Sequence, residues 1–155
     1  MQGFMDNMPY ILAALGILIS IAMTGIGSAK GAAMIGKAAS ALISEQPEKF
    51  GQSLVLQMMS ASQGLYGFII GFLIFINIGS EDFTMNAALK YLVAGAIMGI
   101  TGYFTAIQQS AAATAGIQIL AKKPEHSTKG VLYSVMIEAF AIFAFVISVL
   151  MVMNT

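Results

Sequence analysis

Four stretches of this chain are too long and too poor in charge for the core of a water-soluble domain. Pro9 to Ala29 carries no charge, and neither does Leu54 to Gly79 or Tyr91 to Ala121. Val131 to Asn154 carries a single one, Glu138. Each stretch supplies the ~20 residues that a helix needs to cross hydrocarbon, and the longer ones have length to tilt or protrude. Only 9% of the residues are charged, against roughly 25% in a soluble domain. The alternation of a membrane β-barrel is absent. The first stretch lacks a basic leader and is too long for a signal-peptide core, so it reads as a retained span. The expectation is an all-α membrane protein of four transmembrane helices in two hairpins. The first hairpin is 1–79, with spans at about 9–43 and 51–79; a loop follows at 80–86; the second hairpin is 87–155, with spans at about 87–121 and 130–154.

The connections "SEQPEKFGQ" (44–52), "SEDFTMN" (80–86) and "KKPEHSTKG" (122–130) are short and polar. Four spans put the first and third on one side, with Lys37, Lys49, Lys122, Lys123 and Lys129. The other side has Asp6, Glu81 and Asp82 against Lys90. The lysine bias places both Pro-Glu loops in the cytoplasm and the termini outside. Net charge is zero, which gives no basic surface for nucleic acid. The chain has no Cys, which excludes a disulfide framework and thiolate metal sites.

The hairpins are copies of each other. Pairing Pro47 with Pro124 gives an offset of 77 residues, which sets Gly25 on Gly102, Ser28 on Thr105 and Ala38 on Ala115. Both units run through the membrane in the same direction, unlike the inverted repeats of many transporters. At this offset Glu138 falls on Ala61, so only the second hairpin holds an acid.

Counting from the Pro-Glu turns, Gln63 is 16 residues after Pro47, Glu138 is 14 after Pro124 and Gln109 is 15 before Pro124. At 1.5 Å per residue these depths differ by only ~3 Å. Singly, each Gln reads as an interhelical hydrogen bond of the kind common in membrane bundles. Their convergence with a lone Glu points instead to a site for a small hard cation, which prefers oxygen ligands. Glu138 offers carboxylate, Gln63 and Gln109 amide oxygens, and Ser62 a hydroxyl. Tyr66 lies one turn beyond Ser62 and Gln63 and can hold the carboxylate by a hydrogen bond. A proton needs only the carboxylate; the additional oxygens favour Na+, with H+ as the alternative.

"GIGSAKGAAMIGKAASA" (25–41) fails as a phosphate loop or dinucleotide fingerprint, because Lys30 occupies the third fingerprint position and no Gly-Lys-Ser/Thr follows. Gly27 with Gly31, and Ala32 with Gly36, read as a small-residue packing face, as does "SAAATAG" (110–116). The first and third spans are thus expected on the crowded side of the bundle, and the second and fourth, richer in Phe, Ile, Leu and Met, facing outward. Lys30 lies near the depth of Glu138. It either pairs with that carboxylate or snorkels on the opposite face; the second is the expectation. His126 reads as a solvated loop residue, and the methionines as packing. No nucleophile with a base is visible, so catalysis by the chain alone is not expected.

In "GIGSAKG", "LQMMSASQGLYGFIIGFLIFINIGS", "AGIQILAKKPEHSTKG" and "MIEAFAIFAFVIS" the chain resembles the K (c, proteolipid) subunits of bacterial V-type and A/V-type rotary ATPases, over essentially its whole length. The resemblance implies a homo-oligomeric rotor ring in lipid, in a prokaryotic plasma membrane. The first and third spans would form its inner wall. A central-stalk subunit would sit on the Pro-Glu loops, and a static membrane subunit with half-channels and an arginine beside the ring. It further implies Na+ ligands at Ser62, Gln63, Gln109 and Glu138 with a backbone carbonyl at Met59, and Tyr66 bonded to the glutamate. One departure stands out. Sodium-type members can carry Pro-Gly-Thr-Gln where this chain has Ser60-Ala61-Ser62-Gln63. Losing the proline is expected to remove a helix kink and to weaken the case for Met59. A reading of another class is a small proton-coupled exporter, but such proteins place the acid in the first helix and lack the duplication.

Overall fold

The structure is a computed structural model that describes residues 2–80 and 83–154. Glu81 and Asp82, counted above for charge bias, lie outside the described residues. The chain forms α1 (Gln2–Glu45), a 3-10 turn (Pro47–Lys49), α2 (Phe50–Met58), α3 (Ser62–Asn77), α4 (Met85–Lys122), a second 3-10 turn (Pro124–His126) and α5 (Ser127–Met153). Among the described residues, four spans are long and apolar enough to cross a membrane: α1, α2 with α3, α4, and α5. α1 is 44 residues, about 66 Å long at 1.5 Å per residue. That is twice the hydrocarbon thickness, so its ends reach beyond the lipid core.

The two Pro-Glu turns are built alike. Gln46 has φ −136° and ψ 70°, and Lys123 has φ −144° and ψ 71°. A residue before proline is pushed out of the α region, which ends α1 and α4 at matching places. Each proline then opens a 3-10 turn, where its missing N–H costs nothing. On the other side, Gly79 takes φ +96° after α3, a backbone state that L side chains avoid. Thr84 starts α4, its Oγ1 accepting from Ala87 N at 3.3 Å.

α1 and α4 form the most extensive helix pair, with α3 laid on α1 and α5 on α4. Small residues permit the close α1–α4 approach. A Cβ on Gly16 would lie 2.6 Å from the Tyr91 carbonyl oxygen, and one on Gly27 2.9 Å from Tyr103 Cα. Gly36 serves a different neighbour: its Cβ would meet the Gln57 side chain of α2. The long apolar side chains of α3 and α5, among them Phe68, Phe72, Phe140 and Phe143, project outward.

The buried apolar residues form two clusters. One joins Ala13, Ile70, Tyr91, Met98 and Val152; the other joins Ile35, Leu42, Leu56, Ile117 and Leu120. Along α4, Gln109 falls between them, as Gln63 does along the second span, so the polar level is clamped between two apolar layers. Serine hydroxyls tie helix to helix: Ser20 donates to Gly67 O at 2.8 Å and Ser148 to Ala94 O at 3.0 Å. Each such bond contributes about 0.6 kcal/mol on average in a membrane bundle.

Gly27→Ala should push α1 off α4, because its new methyl meets backbone that cannot rotate away. The expected cost is about 1–3 kcal/mol, read as a lowered thermal unfolding midpoint in detergent. Gly51→Ala, whose Cβ would meet nothing within 4 Å, should leave the midpoint unchanged or slightly raised.

Candidate ion-binding site

The second span, expected as one helix over 51–79, is broken between α2 and α3. At the break the backbone changes to three-residue bonds, Met59 N to Leu56 O at 3.3 Å and Ala61 N to Met58 O at 3.1 Å. The ordinary ladder resumes with Leu65 N to Ala61 O at 3.2 Å. The expectation that loss of proline would straighten this helix is therefore corrected.

Hydroxyls do what proline would have done. Ser60 Oγ donates back to Gln57 O at 3.2 Å, and Ser62 Oγ lies 3.5 Å from Met59 O. Such back-bonding gives the chain an alternative to the helical ladder. Ser28 of α1 then accepts from Gly64 N at 2.9 Å, capping one of the free amides at the start of α3 from a different helix. Its repeat counterpart Thr105 instead donates to Thr101 O in its own helix at 2.8 Å. Among the described residues, the break thus leaves the Met59 carbonyl with only a long contact to Ser62.

The side chains singled out in the sequence form one hydrogen-bonded network. Ser62 Oγ donates to Gln63 Oε1 at 3.3 Å. Gln63 Nε2 donates to Gln109 Oε1. Gln109 Nε2 donates to Glu138 Oε2 at 3.3 Å, and Tyr66 Oη donates to Glu138 Oε1 at 2.8 Å. Helices α3, α4 and α5 each contribute. Gln63 and Gln109 are fully buried, while Ser62, Tyr66 and Glu138 are half-buried, so the network is closed at its two amides and more open at both ends, the carboxylate included. Among the described residues, no buried side-chain polar atom lacks a partner, as a polar cluster in an apolar interior requires.

Sequence reasoning missed the residues that hold this network in place. Ser134, one turn before Glu138, donates to Gln109 O at 3.1 Å and fixes α5 against α4 at the site. Phe145 stacks on Tyr66 with centroids 5.0 Å apart. It stands seven residues after Glu138, on the same helix face, and that spacing was the available signal. Ser28 gave no signal, because its partner is a backbone amide. Lys30, placed at this depth by counting, takes no part: its Nζ donates to Tyr103 Oη at 3.2 Å and lies 5.4 Å from the ring centroid, on an exposed surface.

The chemistry available is that of oxygen. The network and the Met59 carbonyl together offer carboxylate, amide, hydroxyl and peptide oxygens. Among the described residues, no group of three or more His, Cys, Asp or Glu converges anywhere. That disfavours a transition-metal or multi-carboxylate divalent site. One carboxylate amid neutral oxygens matches one positive charge.

Comparisons with known proteins agree with this architecture. The sequence model of the family of ATP synthase C subunits matches twice, at residues 15–74 and 92–151, with the same 77-residue offset as the Pro-Glu turns. The chain is 53% identical over 149 residues to the V-type sodium ATPase subunit K of Enterococcus hirae, covering 96% of this chain and 95% of that protein. It is 32% identical to the A-type ATP synthase subunit K of Methanocaldococcus jannaschii, over 94% of this chain and 64% of that longer one. It is 27% identical to the V-type proton ATPase 16 kDa proteolipid subunit of Entamoeba dispar, over 89% of this chain and 78% of that one. With four membrane-long helices and a family match in each hairpin, the chain belongs to the family of ATP synthase C subunits as a tandem duplicate.

Proposed function

We propose that this chain is the rotor-ring subunit of a V-type rotary ATPase and carries Na+ across the membrane on Glu138. The observation that carries the reading is the single carboxylate held by Tyr66 and Gln109 at the end of a network of neutral oxygens. The whole-length similarity to a sodium ATPase subunit K supports the same ion. The ligands are Glu138, Gln63, Gln109, Ser62 and the Met59 carbonyl, with Tyr66 orienting the carboxylate.

The mechanism follows from electrostatics. A bare carboxylate at bilayer depth costs about 2.5–3.5 kcal/mol on insertion scales. Pairing it with one monovalent cation makes the site neutral, and a neutral site can pass the lipid. The half-buried position of Glu138 lets an ion enter from the side of α3 and α5. Release calls for a competing positive charge. This chain contains no arginine and Lys30 is engaged with Tyr103, so the competitor comes from a static neighbour beside the ring. Cytoplasmic ATP hydrolysis by other subunits would turn the ring through a stalk docked on the two Pro-Glu loops. The chain supplies ion translocation and no catalysis of its own. Membership of the rotary-ATPase family removes the exporter reading.

Carbodiimide should modify Glu138 in the membrane-embedded complex, and millimolar Na+ at constant pH should slow the modification. Protection that follows pH alone would replace Na+ with H+. Glu138→Gln should abolish ATP-driven transport while the ring still assembles.

Tyr66→Phe deletes the 2.8 Å hydrogen bond to the carboxylate. Bonds to charged groups contribute about 1.5–3 kcal/mol, so half-protection should require at least about tenfold more Na+. An unchanged requirement would show that Tyr66 does not hold the loaded site.

A further inference from the structure

Because the chain is a tandem repeat, the way its first hairpin packs on its second shows how one copy meets the next. The inference rests on the ring reading above. Within the chain, Lys49 caps the end of α4, its Nζ donating to Leu120 O and Ala121 O at 3.0 Å each. Seven residues on, Leu56 is 1% exposed and fills the space beside Gly116, where an added Cβ would come 2.9 Å from Leu56 Cδ2.

Shifted by 77 residues, Lys49 becomes His126, the third residue of the second Pro-Glu turn, and Leu56 becomes Tyr133. The surfaces they would meet shift in the other direction: Leu120 and Ala121 become Ile43 and Ser44, and Gly116 becomes Ala39. In the isolated chain Ser44 is exposed and Ile43 half-buried, while Ala39, 6% exposed, lines a groove between α1 and α2. His126 is exposed, and Tyr133 is 66% exposed. Among the described residues no hydrogen bond reaches the carbonyls of Ile43 and Ser44. Beside them, between α1 and α2, lies a groove of about 910 Å³ lined by Ala39, Ser40, Ile43 and Ser44. Ile117 and Leu120, the repeat counterparts of Ser40 and Ile43, are buried beneath the first hairpin. The groove is therefore a surface whose counterpart is already covered within the chain.

We propose that a second copy of this chain fills the groove with its second hairpin. Tyr133 of one copy seats on Ala39 of the next, and the His126 imidazole caps the Ile43 and Ser44 carbonyls of that copy's α1. The occupant is set by register: each contact across the seam has a formed counterpart inside the chain. Capping needs one N–H, which the imidazole offers in either protonation state, and the end of a helix welcomes donors and partial positive charge. The two seams are not identical, because Tyr replaces Leu and Ala replaces Gly. A ring of such copies alternates lysine-capped and histidine-capped junctions.

The test uses the assembled complex in membranes. Native mass measurement of the wild-type ring comes first; a chain that forms no ring overturns both the function reading and the seam. With a ring present, Ala39→Cys combined with Tyr133→Cys should form covalent multimers on oxidation. The chain has no cysteine of its own, so each single variant should yield no ladder beyond dimers. A wild-type ring whose double variant assembles but gives no ladder overturns this register and leaves the rotor reading standing. For the cap, His126→Ala should lower by several degrees the temperature at which the ring dissociates in dodecyl sulfate, and His126→Lys should restore it. Equal temperatures for all three overturn the cap. Should the double-cysteine variant fail to assemble, the His126 comparison decides.

Discussion

A carboxylate on a membrane-spanning helix has to be met by donors or by a cation, because hydrocarbon offers it neither water nor counterion. Much of this structure can be traced to that constraint. Glu138 receives Tyr66 and Gln109 as donors. Gln109 in turn is satisfied by Gln63, and Gln63 by Ser62. Satisfying one acid thus recruits three helices at one level, and two apolar clusters close the bundle on either side of them.

The same constraint accounts for the broken second span. A continuous helix uses each carbonyl in its own ladder, which leaves no peptide oxygen for other work. The α2–α3 break releases the Met59 carbonyl at the depth where oxygens are wanted. Proline is one way to hold such a break. Here serine hydroxyls bonding backward and a cap from Ser28 of a neighbouring helix hold it instead.

Duplication divides the labour between the hairpins. The second keeps the acid, while the first has Ala61 at that position and contributes Ser62, Gln63 and Tyr66 around it. The two Pro-Glu turns keep a common shape, with matching backbone angles before each proline, yet differ in their third residue: Lys49, which reaches α4, in one, and His126 in the other. Repetition also leaves the first hairpin with an uncovered groove that its twin does not have.

Much of this could be read from residues alone. Uncharged runs of membrane length specify helices, since only helices or closed barrels satisfy the backbone in lipid. The Pro-Glu turns gave the repeat, and counting from them brought Gln63, Gln109 and Glu138 to one depth. These features are local in the chain: run length, turn chemistry and spacing. Others depended on which atoms of distant helices come within about 3 Å, and no spacing rule encodes that. The Ser28 cap, the Ser134 tie to Gln109 O and the Phe145 stack on Tyr66 are of this kind. So is the partner of Lys30, because depth along the membrane says nothing about which side of a bundle a side chain occupies. The sequence by itself determined the spans, the duplication and the lone acid. Tertiary structure decided the break after Met58 and the order of donors, because helices packed through glycine bring together groups far apart in the chain.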